Sequence, residues 1–370
     1  MPRKLLLTAG LALLLGVSGL TTYSILKPVL APTGPVAAAA QAPPPLVPVL
    51  NPRKQATDFQ AGVMVLIYGN DPSFDFKVRT ELNRLAALGA NSVGLVFPIY
   101  QTTAQSADVH ADPTRTPSAD RIALFVRQAH QRGFTVLLRP LLDEHSLALD
   151  GQWRGTIQPT SVDAWFRAYQ QLILGYARLA QREHVDALGV GSELNSLEAD
   201  GVRWLQLINQ VRQVYSGLVT YSSTSGNGYP AAFASALDFL GVDAYYPMAV
   251  QAGATVGDLE LAWRPWIAEL ERIHAASGKP VAITEIGTPS RAGSYLTPWT
   301  LKPGVPLDLE AQSRYYQASC HALGRVVPAL YWWYTNLDAS SSPLRDTGYN
   351  PTGKPAEREI AKCFGSAGAN

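Results

Sequence analysis

Short, uninterrupted apolar segments alternate along this chain with longer segments in which apolar residues recur at helical spacing. The first pair is residues 62–68 and 77–88. A strand that is apolar on both faces is typical of a parallel sheet that helices cover on both sides. The pattern therefore predicts repeated strand–helix units. The remaining pairs are 92–98 with 118–132, 135–140 with 161–182, 187–193 with 201–215, 218–222 with 230–236, 239–245 with 261–277, 280–285 with 309–323, and 329–334 with 356–363.

Eight such units in succession predict an α/β fold of the (β/α)8 TIM barrel class. A doubly wound open sheet is the competing architecture, and it usually carries a glycine-rich turn after its first strand. Here residues 68–73 read Tyr-Gly-Asn-Asp-Pro-Ser, which lacks that signature. Gly89, Gly133 and Gly278 stand where three of the helices should end, as expected for left-handed C-terminal caps.

The N-terminal region has a different pattern from the rest. Arg3 and Lys4 precede an apolar run over residues 5–26, so residues 1–27 are interpreted as a signal peptide or an uncleaved signal anchor. Residues 28–55 are rich in Pro and Ala and predict a semi-rigid linker. The folded domain is then expected over 56–366. Export follows, to the extracellular space or the cell envelope, with a possible membrane tether.

Charge and composition exclude several classes of protein. Thirty Lys and Arg against 29 Asp and Glu leave a net charge of +1, so a nucleic-acid partner is not expected. The six His and two Cys show no metal-ligand spacing, and no cofactor is expected. Cys320 and Cys363 fit either one disulfide between the last two helices or two buried thiols. The chain is expected to act as a monomer.

Two carboxylates end apolar strands. Glu193 and Glu285 each close a run of small and β-branched residues, where an unpaired charge would be costly to desolvate. In a barrel the carboxyl ends of the strands form one rim, which carries the active site. By strand count the two residues end strands four and seven. Paired carboxyls at one pocket are the arrangement that glycoside hydrolysis needs.

Aromatic and polar residues end other strands of the same rim. Tyr68, Asn195 and Arg139 lie there and are expected to bind substrate. Arg139 needs a carboxylate partner because its strand is buried, and it could either orient Glu285 or contact the sugar. Tyr245, on strand six, is expected to hydrogen-bond Glu285 or to pack at the rim. No strand ends in Lys or in paired His, which argues against a Schiff-base aldolase and a metal hydrolase.

The segments Gly189-Val-Gly-Ser-Glu-Leu-Asn195 and Ile283-Thr-Glu-Ile-Gly287 resemble those of glycoside hydrolase clan A, most of all family 113, a group of β-mannanase-like TIM-barrel enzymes. The resemblance implies a retaining glycosidase in which Glu285 is the nucleophile and Glu193 the acid/base. It implies a polysaccharide or oligosaccharide substrate, with β-mannan favoured. Many clan A families have Asn before the acid/base, where this chain has Ser192, so the contact to the sugar 2-hydroxyl is unassigned.

The resemblance also implies an aromatic platform at the end of strand eight. Trp332 and Trp333 stand there, and alternation should direct one inward beneath the sugar and the other toward the helices. Trp332 is the preferred platform. Two other functions stay open: a non-catalytic carbohydrate-binding barrel at the envelope, and a glycosidase for envelope or exopolysaccharide glycans.

Overall fold

The computed structural model describes residues 45, 46, 48, 59–143, 147, 152–226, 228–338 and 342–367. The predicted signal segment, most of the predicted linker and the predicted domain start at residue 56 lie outside these residues. The chain divides into two units, Met1–Ala42 and Pro43–Asn370, and everything described below belongs to the second. Within the described residues, no helix combines the length and apolar character needed to cross a membrane.

Eight parallel strands form one closed barrel in chain order, each paired with the next and the eighth paired with the first. This confirms the predicted (β/α)8 fold. The strands are β1 (Gln60–Leu66), β2 (Ser92–Ile99), β3 (Thr135–Leu142), β4 (Ala187–Ser192), β5 (Leu218–Thr224), β6 (Leu240–Asp243), β7 (Val281–Ile286) and β8 (Ala329–Asn336).

Helices surround the barrel. Those in the described residues are α1 (Phe74–Ala87), α2 (Ala119–Arg132), α3 (Val162–Arg182), α4 (Gly201–Val214), α5 (Ala231–Ala234), α6 (Val256–Ser277), α7 (Leu309–Leu323) and α8 (Pro355–Ala367). Gly133 and Gly278 end α2 and α6 with φ of 89° and 68°, and Gly89 follows α1 with φ of 88°. The predicted glycine caps are therefore confirmed, because a side chain at these angles would crowd its own backbone.

The barrel interior is filled by large side chains set against glycines. A Cβ at Gly62 would lie 2.3 Å from the ring of Tyr331, and one at Gly94 would lie 1.9 Å from the sulfur of Met64. Large and small residues thus interdigitate on neighbouring strands, which packs the interior and leaves the chemistry to the rim. The main core lies between the outer faces of the strands and the helices.

A disulfide joins α7 to α8. Cys320 and Cys363 are bonded, with their Cα atoms 5.7 Å apart. Of the two possibilities that the sequence left open, the structure therefore has the cross-link, and the last helix is fixed covalently to the preceding strand–helix unit.

Candidate active site

Glu193 and Glu285 lie at the carboxyl ends of the fourth and seventh strands, as the strand count predicts. Glu193 directly follows β4 and is 7% exposed, while Glu285 is the penultimate residue of β7 and is 3% exposed. Their charges are close enough to interact, since the charge of Glu193 contributes to raising the pKa of Glu285. The two carboxyls therefore belong to one buried cluster at the rim.

Arg139, on β3, is the centre of this cluster. Its Nη2 lies 2.9 Å from Asp243 Oδ2, 2.8 Å from Glu285 Oε1 and 2.5 Å from Ser192 Oγ. Its Nη1 donates to the carbonyl oxygen of Thr284 at 3.2 Å. The contact to Glu285 lies outside good hydrogen-bond directions, so the attraction there is chiefly between the two charges. The predicted need of Arg139 for a carboxylate partner is met by two of them.

Asp243 is a fully buried counter-ion at the end of β6. Its Oδ2 accepts from Ser192 Oγ at 2.8 Å as well as from Arg139, and its Oδ1 accepts from Thr284 Oγ1 at 2.8 Å. A buried carboxylate is tolerated when charge and hydrogen bonds compensate it on both oxygens. Asp243 thus holds Arg139 in place independently of Glu285.

Tyr245 donates a hydrogen bond from its hydroxyl to Glu285 Oε2 at 2.8 Å. Burial and the charge of Glu285 raise the pKa of Tyr245 well above its ordinary value, so the phenol stays a donor. Its ring meets that of Tyr349 edge to face, with centroids 6.2 Å apart. Of the two roles considered from sequence, the structure has the contact to the carboxylate.

The protonation of Glu285 is set by opposing effects. Burial is the largest and raises its pKa well above the ordinary range, and the neighbouring charges of Asp243 and Glu193 act in the same direction. The guanidinium groups of Arg139 and Arg154 lower it. The two cations are therefore what favours the ionised carboxylate in an environment that otherwise favours the acid.

Arg154 contacts the other glutamate. It lies in the loop after β3, and its Nη1 donates to Glu193 Oε2 at 2.7 Å while its Nε donates to the carbonyl oxygen of Leu142 at 3.0 Å. Arg154 is 8% exposed. Arg154 was not predictable from sequence, because it lies in a long loop and its contacts depend on how that loop folds.

The two tryptophans of β8 point in opposite directions, but the preference for Trp332 as the platform is wrong. Trp332 is fully buried outside the barrel and stacks on Tyr316 of α7, with centroids 4.3 Å apart and an interplanar angle of 10°. Trp333 is partly exposed and packs against the residues that fill the barrel interior. The indole that faces the rim is therefore Trp333.

A bulge in β8 places a second aromatic residue, Tyr334, beside Trp333. Trp332 and Thr335 pair with Val63 and Val65 of β1, so two residues of β8 oppose one residue of β1. Trp333 and Tyr334 both pack on the interior cluster, and their rings meet at 5.0 Å. A bulge of this kind redirects side chains at the rim of a barrel.

The other predicted binding residues differ in their surroundings. Asn195 lies two residues after Glu193, and its Oδ1 accepts a hydrogen bond from Thr224 Oγ1 at 2.8 Å. Asn195 therefore contacts the last residue of β5. Tyr68, just past β1, is 53% exposed. A further aromatic residue that was not among the predicted site residues, Trp299 in the loop after β7, is 54% exposed. Tyr68 and Trp299 thus offer open aromatic surface.

No other feature of the described residues competes with this cluster. Among these residues, no group of three or more His, Cys, Asp or Glu has the arrangement of a metal site. A cavity of about 510 Å³ lies on the outside, against α2 and α3, and it includes none of the carboxylates above. The rim is the better candidate, because carboxyl and guanidinium groups converge there, whereas no carboxylate in the described part of the chain lines that cavity.

Chemically, the rim holds one carboxylate supported by a cation and a phenol, and a second carboxylate on a neighbouring part of the same rim. This set can supply a nucleophile and a proton donor to one bound molecule. Sequence reasoning found Glu193, Glu285, Arg139 and Tyr245 but did not assign Asp243, Arg154 or Tyr349 to the site. Asp243 is recognisable from the sequence as a residue that ends strand six, but its role as the counter-ion of Arg139 is not.

Comparisons with known proteins bear on this site. A family model described as Glycoside Hydrolase Family 113 matches residues 74–354. A solved family 113 β-mannanase from Alicyclobacillus acidocaldarius, in complex with ManMIm, is 28% identical, and the match covers 84% of this chain and 98% of that chain with a TM-score of 0.75. A family 113 β-1,4-mannanase is 24% identical over 84% of this chain and 99% of that chain, with a TM-score of 0.73.

A more distant likeness extends to another glycosidase family in fold alone. A family 5, subfamily 18 protein from Streptomyces cattleya, solved with Manβ1-4GlcNAc, is 16% identical, and the match covers 82% of this chain and 79% of that chain with a TM-score of 0.58. No curated protein sequence gives a significant match.

Proposed function

Since this chain belongs to glycoside hydrolase family 113, it is a glycosidase, and we propose that it cleaves β-1,4-linked mannan with retention of configuration, with Glu285 as nucleophile and Glu193 as acid/base. The observation that carries this assignment is the support given to Glu285. Arg139 and Tyr245 approach its two carboxylate oxygens, each at 2.8 Å. A nucleophile must be ionised and oriented. Arg139 favours the ionised form by lowering the pKa of Glu285, and Tyr245 orients the carboxylate through its hydrogen bond.

In the first step, a carboxylate oxygen of Glu285 attacks the anomeric carbon while the glycosidic bond breaks. Glu193 gives its proton to the departing oxygen, and a glycosyl ester of Glu285 forms. In the second step, Glu193 takes a proton from water, and the water oxygen attacks the same carbon. The ester bond breaks, Glu285 leaves as a carboxylate, and Glu193 is again protonated.

Asp243 balances the charge of Arg139 while the ester intermediate exists. When Glu285 becomes an ester it loses its charge, and Arg139 would be left as a buried cation. Asp243 lies 2.9 Å from Arg139 Nη2, so it supplies the counter-charge that Arg139 needs when Glu285 is esterified. Arg139 is then in position to stabilise the carboxylate that reappears when the ester breaks.

The charges of the whole cluster favour one bound proton. Two guanidinium groups, Arg139 and Arg154, face the three carboxyls of Asp243, Glu193 and Glu285. With all three ionised the cluster carries one excess negative charge, and a single proton makes it neutral. In the productive form that proton resides on Glu193, which is the state that the first step requires.

The choice of mannan rests on the similarity to family 113 β-mannanases, supported by the aromatic surface at the rim. Trp333, Tyr68 and Trp299 present rings that can stack on sugar faces. We extend the proposal to an oligosaccharide or polysaccharide that lies across the rim and contacts these rings.

The test is hydrolysis of matched β-1,4-linked manno-, gluco- and xylo-oligosaccharides, with the anomer of the first product followed by NMR. We expect the manno-series to be cleaved to the β-anomer. Glu285→Gln should reduce turnover to below about one-thousandth, whereas Glu310→Gln, at an exposed position of α7, should keep it. An α-anomer as first product, or full activity of Glu285→Gln, would refute the mechanism, and cleavage of another series alone would refute mannan.

We also propose that the protein is exported and acts as a monomer near the cell envelope. The apolar run over residues 5–26 after Arg3 and Lys4 supports export, and so does the disulfide, because disulfides persist in oxidising compartments. Detection of the protein in the cytosolic fraction of the producing cell, or of a dimer by light scattering, would contradict this.

A further inference from the structure

Glu193 has a backbone conformation that residues with a side chain seldom adopt. Its φ is 52°, and among the described residues His184 is the other non-glycine with positive φ. This left-handed conformation is unfavourable for a residue with a side chain, because Cβ crowds the following carbonyl oxygen. Such strain persists where the surroundings hold it. Because Glu193 directly follows β4, this conformation sets the direction in which its carboxylate leaves the strand.

Two consecutive residues of β5 hold this turn. The N–H of Glu193 donates to the carbonyl oxygen of Ser222 at 2.8 Å, and the N–H of Leu194 donates to the hydroxyl oxygen of Tyr221 at 2.9 Å. The first bond is made by backbone and is available to any residue at position 222. The second requires a hydroxyl at the end of a long, rigid side chain.

Tyr221 is fixed from all sides. It is fully buried, and its ring meets those of Trp204 and Phe233 edge to face, with centroids 5.1 and 5.2 Å apart. It also lies over Gly191, where an added Cβ would come within 2.8 Å of the ring. This packing holds the ring in one orientation and so fixes the position of its hydroxyl oxygen relative to the N–H of Leu194.

Glu198 fixes the direction of the hydroxyl hydrogen. Tyr221 donates to Glu198 Oε1 at 2.8 Å, which leaves a lone pair of the phenol oxygen for the N–H of Leu194. Burial and the charge of Glu198 raise the pKa of Tyr221 well above its ordinary value, so the phenol keeps its proton. The two hydrogen bonds therefore run in one direction, from the N–H of Leu194 to Tyr221 and from the hydroxyl of Tyr221 to Glu198.

We propose that Tyr221, oriented by Glu198, is a positioning residue for the general acid: it holds the left-handed turn at Glu193 and thereby aims the carboxyl at the departing oxygen. This inference rests on the proposed function, in which Glu193 donates that proton. Tyr221 acts through the backbone, whereas Arg154 holds the carboxylate itself, so the acid is fixed at both ends.

The test uses aryl β-mannobiosides that differ in leaving group. A dinitrophenyl group departs without a proton, whereas a methylphenyl group and a natural sugar need the general acid. General acid catalysis contributes about 10²–10⁴-fold, so partial misalignment in Tyr221→Phe should lower kcat/KM about 10- to 100-fold for the poor leaving groups. For dinitrophenol the loss should be below about 3-fold, because that step does not need the acid.

The matched control is Tyr215→Phe, which also deletes a buried phenol bond, here to the carbonyl oxygen of Val185 at 2.8 Å before the start of β4. It should lower stability and leave the leaving-group dependence unchanged. Glu198→Gln, which keeps Tyr221, should show a smaller loss with the same selectivity, and it serves if Tyr221→Phe does not fold.

Equal losses on all leaving groups, or no loss, in Tyr221→Phe and Glu198→Gln would overturn the inference. If the wild-type enzyme cleaves none of the substrates, the proposed function fails instead. The two failures are thus distinguishable, since the first requires an active wild type.

Discussion

Arg139 carries a buried positive charge that two carboxylates share. Burial opposes this charge, and the nearby charges of Asp243 and Glu285 outweigh burial and raise the pKa of Arg139. The guanidinium therefore stays charged, and it lowers the pKa of Glu285 in return. The pH range of activity should depend on this one side chain.

We expect Arg139→Met to move the acidic limb of kcat/KM to higher pH by about 1–3 pH units. Without the cation, burial and Asp243 raise the pKa of Glu285 further. Because the nucleophile works ionised, activity is lost as pH falls through that pKa, and a higher pKa means loss at higher pH. Arg139→Lys keeps a charge and should shift the limb less. A pH–rate profile with an unchanged acidic limb in Arg139→Met would contradict this account.

Glu285→Gln should be at least as stable as the wild type at neutral pH, even though it is inactive. The folded-state pKa of Glu285 lies above its unfolded value, so its stabilising contribution is fully present below the unfolded pKa and is lost as pH rises through the folded pKa. Gln lacks this dependence, and Arg139 keeps Asp243 as partner. Thermal unfolding of the wild type and of Glu285→Gln across a range of pH measures the difference in their stability. We expect this difference to become smaller as the pH falls. A variant that is less stable at neutral pH and equal at acid pH would be the contrary result.

The sequence indicated which residues carry the chemistry better than it indicated their partners. Glu193, Glu285 and Arg139 were recognisable because a charge in an apolar strand calls for a use. Arg154 was not, since a loop arginine is unremarkable until the fold brings it to a carboxylate. Ser192 stood out only as a departure from the clan A pattern, and its contacts to Arg139 and Asp243 were not predictable. Partner choice depends on distances between strands, which local pattern does not contain.

At the scale of elements, β8 shows where pattern reasoning fails. Alternation correctly places Trp332 and Trp333 on opposite faces, but it does not say which face each takes. The bulge against β1 then turns Tyr334 inward as well, and nothing in the run Tyr-Trp-Trp-Tyr marks it. The helix ends, by contrast, were predictable because glycine at a positive φ is a local requirement.

Trp332→Ala and Trp333→Ala should therefore have opposite effects. Trp332→Ala should cost about 3–5 kcal/mol of unfolding free energy, because it leaves a cavity beside Tyr316, and should change KM little. Trp333→Ala should raise KM for oligosaccharides with a smaller loss of stability, because its ring is partly exposed at the rim. Denaturant unfolding and steady-state kinetics on both variants decide this. A higher KM in Trp332→Ala together with little loss of stability would restore the prediction of Trp332 as the platform.

At the scale of the whole molecule, the barrel was predictable from the periodicity of apolar residues. Eight strands that are apolar on both faces and alternate with helices have few other ways to bury their surfaces. The disulfide did not follow. Cys320 and Cys363 are 43 residues apart, and only the packing of α7 against α8 brings them together. The N-terminal anchor and linker stay predictions.

Replacing Cys320 and Cys363 by Ala should lower the free energy of unfolding by about 2–4 kcal/mol, because the unfolded chain regains the freedom of the closed loop. The cross-link lies among the outer helices, so kcat should be unchanged at temperatures where both proteins are folded. Unfolding in the presence and absence of a reductant tests this for the wild type, and the double variant should be insensitive to the reductant. A fall in kcat without loss of stability would contradict it.

Ser192 has a consequence for how this site can diverge. Its hydroxyl accepts from Arg139 and donates to Asp243, and the residue is 4% exposed, so a larger amide at this position has neither room nor free partners. Arg139, Ser192 and Asp243 are therefore physically coupled, and we expect a change at one of them to be tolerated only with compensating changes at the others. Selection for activity from a library randomised at all three should recover them as linked combinations, and independent assortment would show that they vary freely.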